Sequence, residues 1–185
     1  GFVDDSAVLA QVGDSRAYIL RSGVLTQVTR DQNLESALRA AGHEEAALDE
    51  ANQGAILQAL GVAADVEPSL SMVEVRRGDL LILCSDGVHG ALSDQQLVSI
   101  LGEHEVPLGE RMLRLRLAVR AMGAPDNATA AVALLDGPRL RAPAGDDDQP
   151  AFREFDPQGE GERALTSTSI VVRRLAARVG LQTPT

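Results

Sequence analysis

An α+β fold with antiparallel strands is predicted for this 185-residue chain by three observations. Short apolar runs separated by turn residues open the sequence. Two later apolar runs meet an aspartate in mirror order, Leu83-Cys84-Ser85-Asp86-Gly87 at the end of one and Asp126-Asn127-Ala128 at the start of the other. Between those acids lie two stretches with helical spacing and their own start and stop signals.

Taken in order, residues 7–12, 17–20 and 24–28 read as strands bounded by turn formers. Ser22-Gly23 is a tight-turn pair, which makes 17–28 a β-hairpin. Gly13-Asp14 interrupts the apolar runs as a turn, or as a bulge that re-aims Asp14. Asp31 or Asn33 caps a helix that carries Leu34, Leu38 and Ala41 and stops at Gly42, and a weaker helical stretch follows over 44–52. The apolar run 56–60 suits helix or strand, as short runs do. Residues 70–75 alternate as a strand, and Arg77-Gly78-Asp79 turns the chain into the strand that ends at Asp86.

Ser93 with Gln96 forms a capping box for a helix carrying Leu97, Ile100 and Leu101 and closed by Gly102. A longer helix bears Leu108, Met112, Leu115, Val119 and Met122 at helical spacing, with Gly123 after it. Its Arg111, Arg114, Arg116 and Arg120 read as a solvated face rather than a phosphate-binding patch. After Gly137 the composition turns to Pro, Gly, Asp, Glu and Arg, with too little apolar surface to offset ordering entropy. Residues 1–136 therefore form the domain and 137–185 an acidic, largely disordered tail or linker, in which 166–179 could form a short strand or helix.

A formal net charge of -10 and 44% hydrophobic residues describe a globular chain that repels polyanions, so neither nucleic acid nor an anionic membrane is its expected partner. All 17 basic residues are arginine. Cys84 is the one cysteine, which excludes an intrachain disulfide, points to a reducing, cytoplasmic setting, and in its apolar strand reads as a small buried hydrophobe. No apolar stretch approaches the ~18 residues of a membrane span, and no signal peptide opens the chain.

If the strands flanking Asp86 and Asp126 are antiparallel neighbours, both carboxylates share one sheet edge. Converging aspartates suit hard divalent cations, whereas thiolates would select softer metals. His89 lies three residues past Asp86 and reads as structural or solvated, and Ser85 has no base placed to activate it.

The succession Gly13-Asp14-Ser15-Arg16-Ala17-Tyr18, Thr29-Arg30-Asp31, Cys84-Ser85-Asp86-Gly87 and Pro125-Asp126-Asn127 resembles the metal-dependent serine/threonine protein phosphatases, the PPM or type 2C family. The likeness runs from Val3 to about Asp136 and includes Gln58-Ala59-Leu60-Gly61 and the Arg77-Gly78-Asp79 turn. It implies an N-terminally truncated, four-layer α/β/β/α sandwich with two Mn²⁺ or Mg²⁺ ions, and a third weaker one, at one end of the sheets. The positions matching Asp86 and Asp126 are then metal ligands, and that matching Asp14 helps hold the third ion with Asp86. Gly87, Asn127 and Arg16 are supporting residues, Arg16 through a carboxylate pair beside Asp14 and Asn127 through backbone groups around Asp126. The implied chemistry is hydrolysis of phosphoserine and phosphothreonine in proteins by metal-activated water, without a covalent intermediate. A cognate kinase or its substrates are the implied partners.

The family's phosphate-gripping Arg, its Glu-Asp pair and its Asp-Gly-x-Gly-Gly turn with the bridging aspartate are not found here. Too few acids remain to set a tight metal pair, so this chain is expected to be inactive alone, with no catalytic residue beyond the metal ligands. Gln32 stands where many members have histidine, and Gly90 where some have another acid near the third metal, which weakens the expectation of a strong third site. A pseudophosphatase that binds a partner, and an anti-sigma-antagonist phosphatase, are the alternative readings.

Overall fold

Two antiparallel sheets packed with helices make up the chain, in a computed structural model that describes residues 1–49, 52, 54–124, 126–145 and 148–154. The elements are β1 (Phe2–Val3), β2 (Ser6–Gln11), β3 (Arg16–Arg21), β4 (Val24–Gln27), α1 (Leu34–Ala40), α2 (Glu44–Ala47), β5 (Ser69–Glu74), β6 (Leu80–Cys84), α3 (Asp86–His89), α4 (Asp94–Leu101), α5 (Leu108–Ala121), β7 (Ala130–Leu134) and β8 (Phe152–Glu154). One sheet runs β1-β2-β5-β8 and the other β4-β3-β6-β7.

The β3–β4 hairpin forms where expected, with Ser22 and Gly23 both at positive φ, the conformation a two-residue turn demands. Gly13 (φ 98°) makes the Gly13-Asp14 segment the turn that carries the chain from β2 in the first sheet to β3 in the second. Ala7, Val73 and Val75 of the first sheet meet Ala17, Ile19 and Leu81 of the second in the core between them. On the outer side of the second sheet, Tyr18, Leu20, Leu80 and Ile82 pack under Val88, Leu97, Leu101, Leu115 and Val119 of the α3–α5 layer. Helices α1 and α2 gather a small core of their own around Leu34, Leu38 and Ala47.

Asn33, not Asp31, caps α1, its side chain accepting from Ser36 N at 2.9 Å. The Ser93–Gln96 capping box is formed in both directions. Gly102 closes α4 as expected, and a Cβ there would lie 2.7 Å from the Val98 carbonyl oxygen, which favours glycine at that place. The helix after Gly42 is shorter than expected, only α2, and residues 56–60 form neither helix nor strand apart from an Asn33–Ile56 bridge.

Three expectations are corrected. The strand before Asp86 stops at Cys84, and Asp86 opens the single turn of α3. Arg111 is buried rather than solvated, its Nη1 donating to the Leu101 carbonyl at 2.6 Å, so it closes the end of α4 that helix dipoles make electronegative.

The third concerns the segment after Gly137. Its described part is joined to the fold: β8 pairs with β5, and Leu140 and Phe152 pack on the inter-sheet core. Charge adds to that pairing and packing. Buried Arg21 donates to Asp79 at 2.7 and 2.9 Å and to Asp148 at 3.3 Å, while Arg76 Nε reaches Asp148 at 3.0 Å. The stretch 166–179 lies outside the described residues.

The Ala144 amide and the Arg76 guanidinium hold the Asp148 carboxyl below its ordinary value of 3.8. Because the folded state binds this proton less readily than the unfolded chain, its stabilisation is present above the ordinary carboxylate range and is lost as pH falls through the lowered folded value. Urea midpoints measured from pH 5 downward, an interval of roughly two units across that range, should fall less steeply in Asp148→Asn than in the parent.

Candidate metal-binding rim

The antiparallel pairing of β6 with β7, in the register Cys84↔Ala130, brings the end of one strand beside the start of the other. Beyond that last pair the two chains stay joined. Ser85 N donates to the Thr129 carbonyl at 3.0 Å, Ser85 Oγ donates to the Asn127 carbonyl at 3.2 Å, and Thr129 N donates to Ser85 Oγ at 3.0 Å. Both hydrogen-bonding roles of the Ser85 hydroxyl are thus structural. The turns bearing Asp86 and Asp126 therefore lie at one end of the second sheet, and both aspartates are exposed there.

Each acid turns one oxygen onto its own main chain. Asp86 Oδ1 accepts from Gly87 N at 2.9 Å and Asp126 Oδ1 from Asn127 N at 2.6 Å. Gly87 is needed where the two turns touch: a Cβ on it would stand 2.5 Å from the Asn127 carbonyl oxygen. The expected help from Asn127 thus comes through its main chain, which receives Ser85 and approaches Gly87.

Asp14 reaches the same end from the first sheet-to-sheet turn. Gln32 clamps that turn, its Oε1 accepting from Gly13 N and its own N–H donating to the Gly13 carbonyl, both at 2.9 Å. His89 Nε2 donates to the Asp14 carbonyl at 3.1 Å, a carbonyl being able only to accept, and so ties Asp14 to the helical turn that Asp86 begins. Burial, then the nearby Arg16 charge, push the His89 pKa down, which keeps the ring neutral. His89 is a structural link, as its bland sequence reading has it.

Arg16 does not pair with Asp14. Its Nε and Nη2 fork onto Asp31 at 2.7–3.1 Å and Nη1 donates to Tyr18 Oη at 3.1 Å. The hairpin dictates this partner, since Ala17 N donates to Thr29 Oγ1 and so sets the residues after β4 beside the start of β3. Burial opposes the Arg16 charge, but the Asp31 and Tyr18 bonds outweigh it and hold the guanidinium pKa above its usual range. Cys84, under the rim, is pushed up to about 11 by burial and is no nucleophile.

The donor chemistry suits hard divalent cations: carboxylates are oxygen donors, and none of the three acids is in an ion pair among the described residues. The number of donors does not make a closed cage. Among the described residues no three His, Cys, Asp or Glu side chains stand together as a metal site. Asp86 and Asp126 are brought to one end of a sheet, and Asp14 joins them through its main chain. Sequence reasoning missed Gln32 and His89 as the residues that hold the Asp14 turn; Gln32 gave a signal only as a departure from the expected pattern.

An antiparallel two-sheet α+β sandwich with acids at one rim defines a class that comparison with known proteins makes specific. No protein-family model matches the chain. It is 39% identical over 134 residues to the serine/threonine protein phosphatase PstP of Mycobacterium tuberculosis, a match covering 71% of this chain and 26% of PstP. It is 35% identical over 132 residues to a putative type 2C protein phosphatase of Streptococcus pyogenes, covering 70% and 53%. The Streptococcus agalactiae serine/threonine phosphatase structure superposes with a TM-score of 0.65 at 34% identity, over 72% of this chain and 56% of that one. The catalytic domain of PstP in complex with two manganese ions superposes with a TM-score of 0.62 at 35% identity, over 74% and 56%. The chain belongs to the metal-dependent serine/threonine protein phosphatases of the PPM, type 2C, family. It spans from about a quarter to about half of the length of the curated relatives it matches.

Proposed function

We propose that this chain serves a phosphoprotein phosphatase acting on phosphoserine and phosphothreonine, with Asp86 and Asp126 as ligands of a dinuclear Mn²⁺ or Mg²⁺ centre and Asp14 toward a third ion. The observation that carries the reading is the β6–β7 register, which sets the turns of Asp86 and Asp126 side by side in a chain 39% identical to PstP. Bound cations of this kind supply a hydroxide at neutral pH and offset phosphoryl charge. The chain's own part is to hold the acids: Gly87 allows the two turns to close, Ser85 binds them together, and Gln32 and His89 fix the third turn. Arg16 braces the hairpin beneath through Asp31. In this reading the partners are phosphorylated proteins and a cognate kinase, and the setting is the cytoplasm; no helix among the described residues is long and apolar enough to cross a membrane.

The test is calorimetric titration of Mn²⁺ into the chain and into Asp86→Ala. Weak specific binding is expected, reduced at least about tenfold by the substitution, since each lost charged ligand weakens a hard-cation site. Equal heats from both would refute the assignment. A phosphopeptide offered with Mn²⁺ should not be turned over by this chain alone, because three ligating side chains do not gather among its described residues. That same shortage is what favours the partner-binding, pseudophosphatase reading as second choice, and loss of binding to Mn²⁺ altogether would move it to first.

A further inference from the structure

The outward face of α5 carries a patch that neither the core nor the rim uses. Leu113, Arg116, Leu117 and Arg120 are spaced i, i+3, i+4, i+7 and share one helix face. All four are exposed, Leu113 by 45% and Leu117 by 53%, while Arg111, Leu115 and Val119 on the opposite face are buried. Folding gives no reason for two leucines there.

The charges on this helix divide in the same way. Arg114 is held by Glu103 and Glu110, both at 2.7 Å. Arg116 and Arg120 have no ion pair among the described residues. On a chain of formal net charge -10, two adjacent uncompensated guanidiniums beside two leucines reverse the prevailing sign of the surface. The patch lies on the helix that precedes Asp126 in sequence, with exposed Met122 just after its last turn.

We propose that this face binds an acidic amphipathic segment of a partner protein, apolar side chains against Leu113 and Leu117 and carboxylates on Arg116 and Arg120. Guanidinium forks match carboxylates in geometry as well as charge. A second copy of the chain is the poorer occupant, because a two-fold contact through this face would set Arg116 and Arg120 against themselves. An anionic membrane is poorer too, as the rest of the surface repels it. The proposal does not depend on phosphatase activity, and its test measures binding without turnover.

The probe is a short fluorescein-labelled helical peptide with leucines at i, i+3, i+4, i+7 and glutamates elsewhere, beside a counterpart with lysine for every glutamate. Fluorescence anisotropy with the full chain should show saturable binding of the acidic peptide, weakened by salt. Arg116→Glu with Arg120→Glu, and separately Leu113→Ser with Leu117→Ser, should each weaken it at least about tenfold, or roughly 1.4 kcal/mol. Unchanged circular dichroism and urea midpoints are expected, since all four side chains are exposed. No binding, equal binding of the lysine peptide, or binding unaffected by either pair of substitutions would overturn the proposal. So would capture of the parent chain by phosphatidylserine vesicles that both pairs abolish, which would make the face a membrane contact.

Discussion

Asp79→Ala should unfold this protein more readily than any other single change of comparable size, with a loss of about 3–5 kcal/mol. Asp79 is fully buried and Arg21 is 2% exposed, so the alanine would leave a guanidinium without its two shortest bonds in a site that water does not reach. Asp148 compensates only weakly: its Oδ1 meets Arg21 Nη1 at 3.3 Å, while its Oδ2 already serves Arg76 and the Ala144 amide. The Arg76 amide would lose its acceptor as well, Asp79 Oδ2 at 2.8 Å. Urea denaturation followed by circular dichroism should show the midpoint falling by roughly 1–3 M. Replacing both partners, Arg21→Met with Asp79→Leu, should restore much of the loss, since an apolar pair removes the uncompensated charge. A single Asp79→Ala variant as stable as the parent would show that the pair contributes nothing.

The second large effect is expected at Gly87. Alanine there would drive its Cβ to 2.5 Å from the Asn127 carbonyl oxygen and 2.9 Å from the carbonyl carbon, both backbone atoms that cannot rotate away. The strain, about 1–3 kcal/mol by the measure of overpacked sites, must be relieved by parting the Asp86 turn from the Asp126 turn. Mn²⁺ titration should therefore weaken along with stability, although no carboxylate has been touched. Gly109→Ala is the matched control: it lies in α5 with nothing within 4 Å of the added atom. It should be neutral or slightly stabilising, because alanine loses less backbone freedom in a helix. If Gly87→Ala and Gly109→Ala behave alike, the close approach of the two turns has no energetic weight.

The parts of this fold that were legible in the sequence are those written in local chemistry. Ser22-Gly23 announced a hairpin because few residue pairs tolerate two positive φ values, and Ser93 with Gln96 announced a helix start because its bonds are made within one turn. The shared edge of Asp86 and Asp126 was readable from mirror order, given antiparallel pairing. What stayed hidden depends on tertiary placement. Nothing in the periodicity of β3 says that Arg21 is buried, or that its partners lie 58 and 127 residues away. Arg111 looked like one more surface arginine until the end of α4 was set against it. Arg16 was legible as one half of a carboxylate pair, but its partner Asp31 was not, because the hairpin rather than sequence distance brings that acid to it.

The Asp148 anchor has a practical bearing on where this folding unit stops. A shortened version ending at Asp136 would keep every residue of the family likeness, yet it would uncover the edge of β5 and the side chains under Leu140 and Phe152. Arg21 and Arg76 would each lose an anionic partner at the same cut. Recombinant boundaries chosen from homology alone would thus excise a staple, and expression trials of this chain are better carried through Glu154.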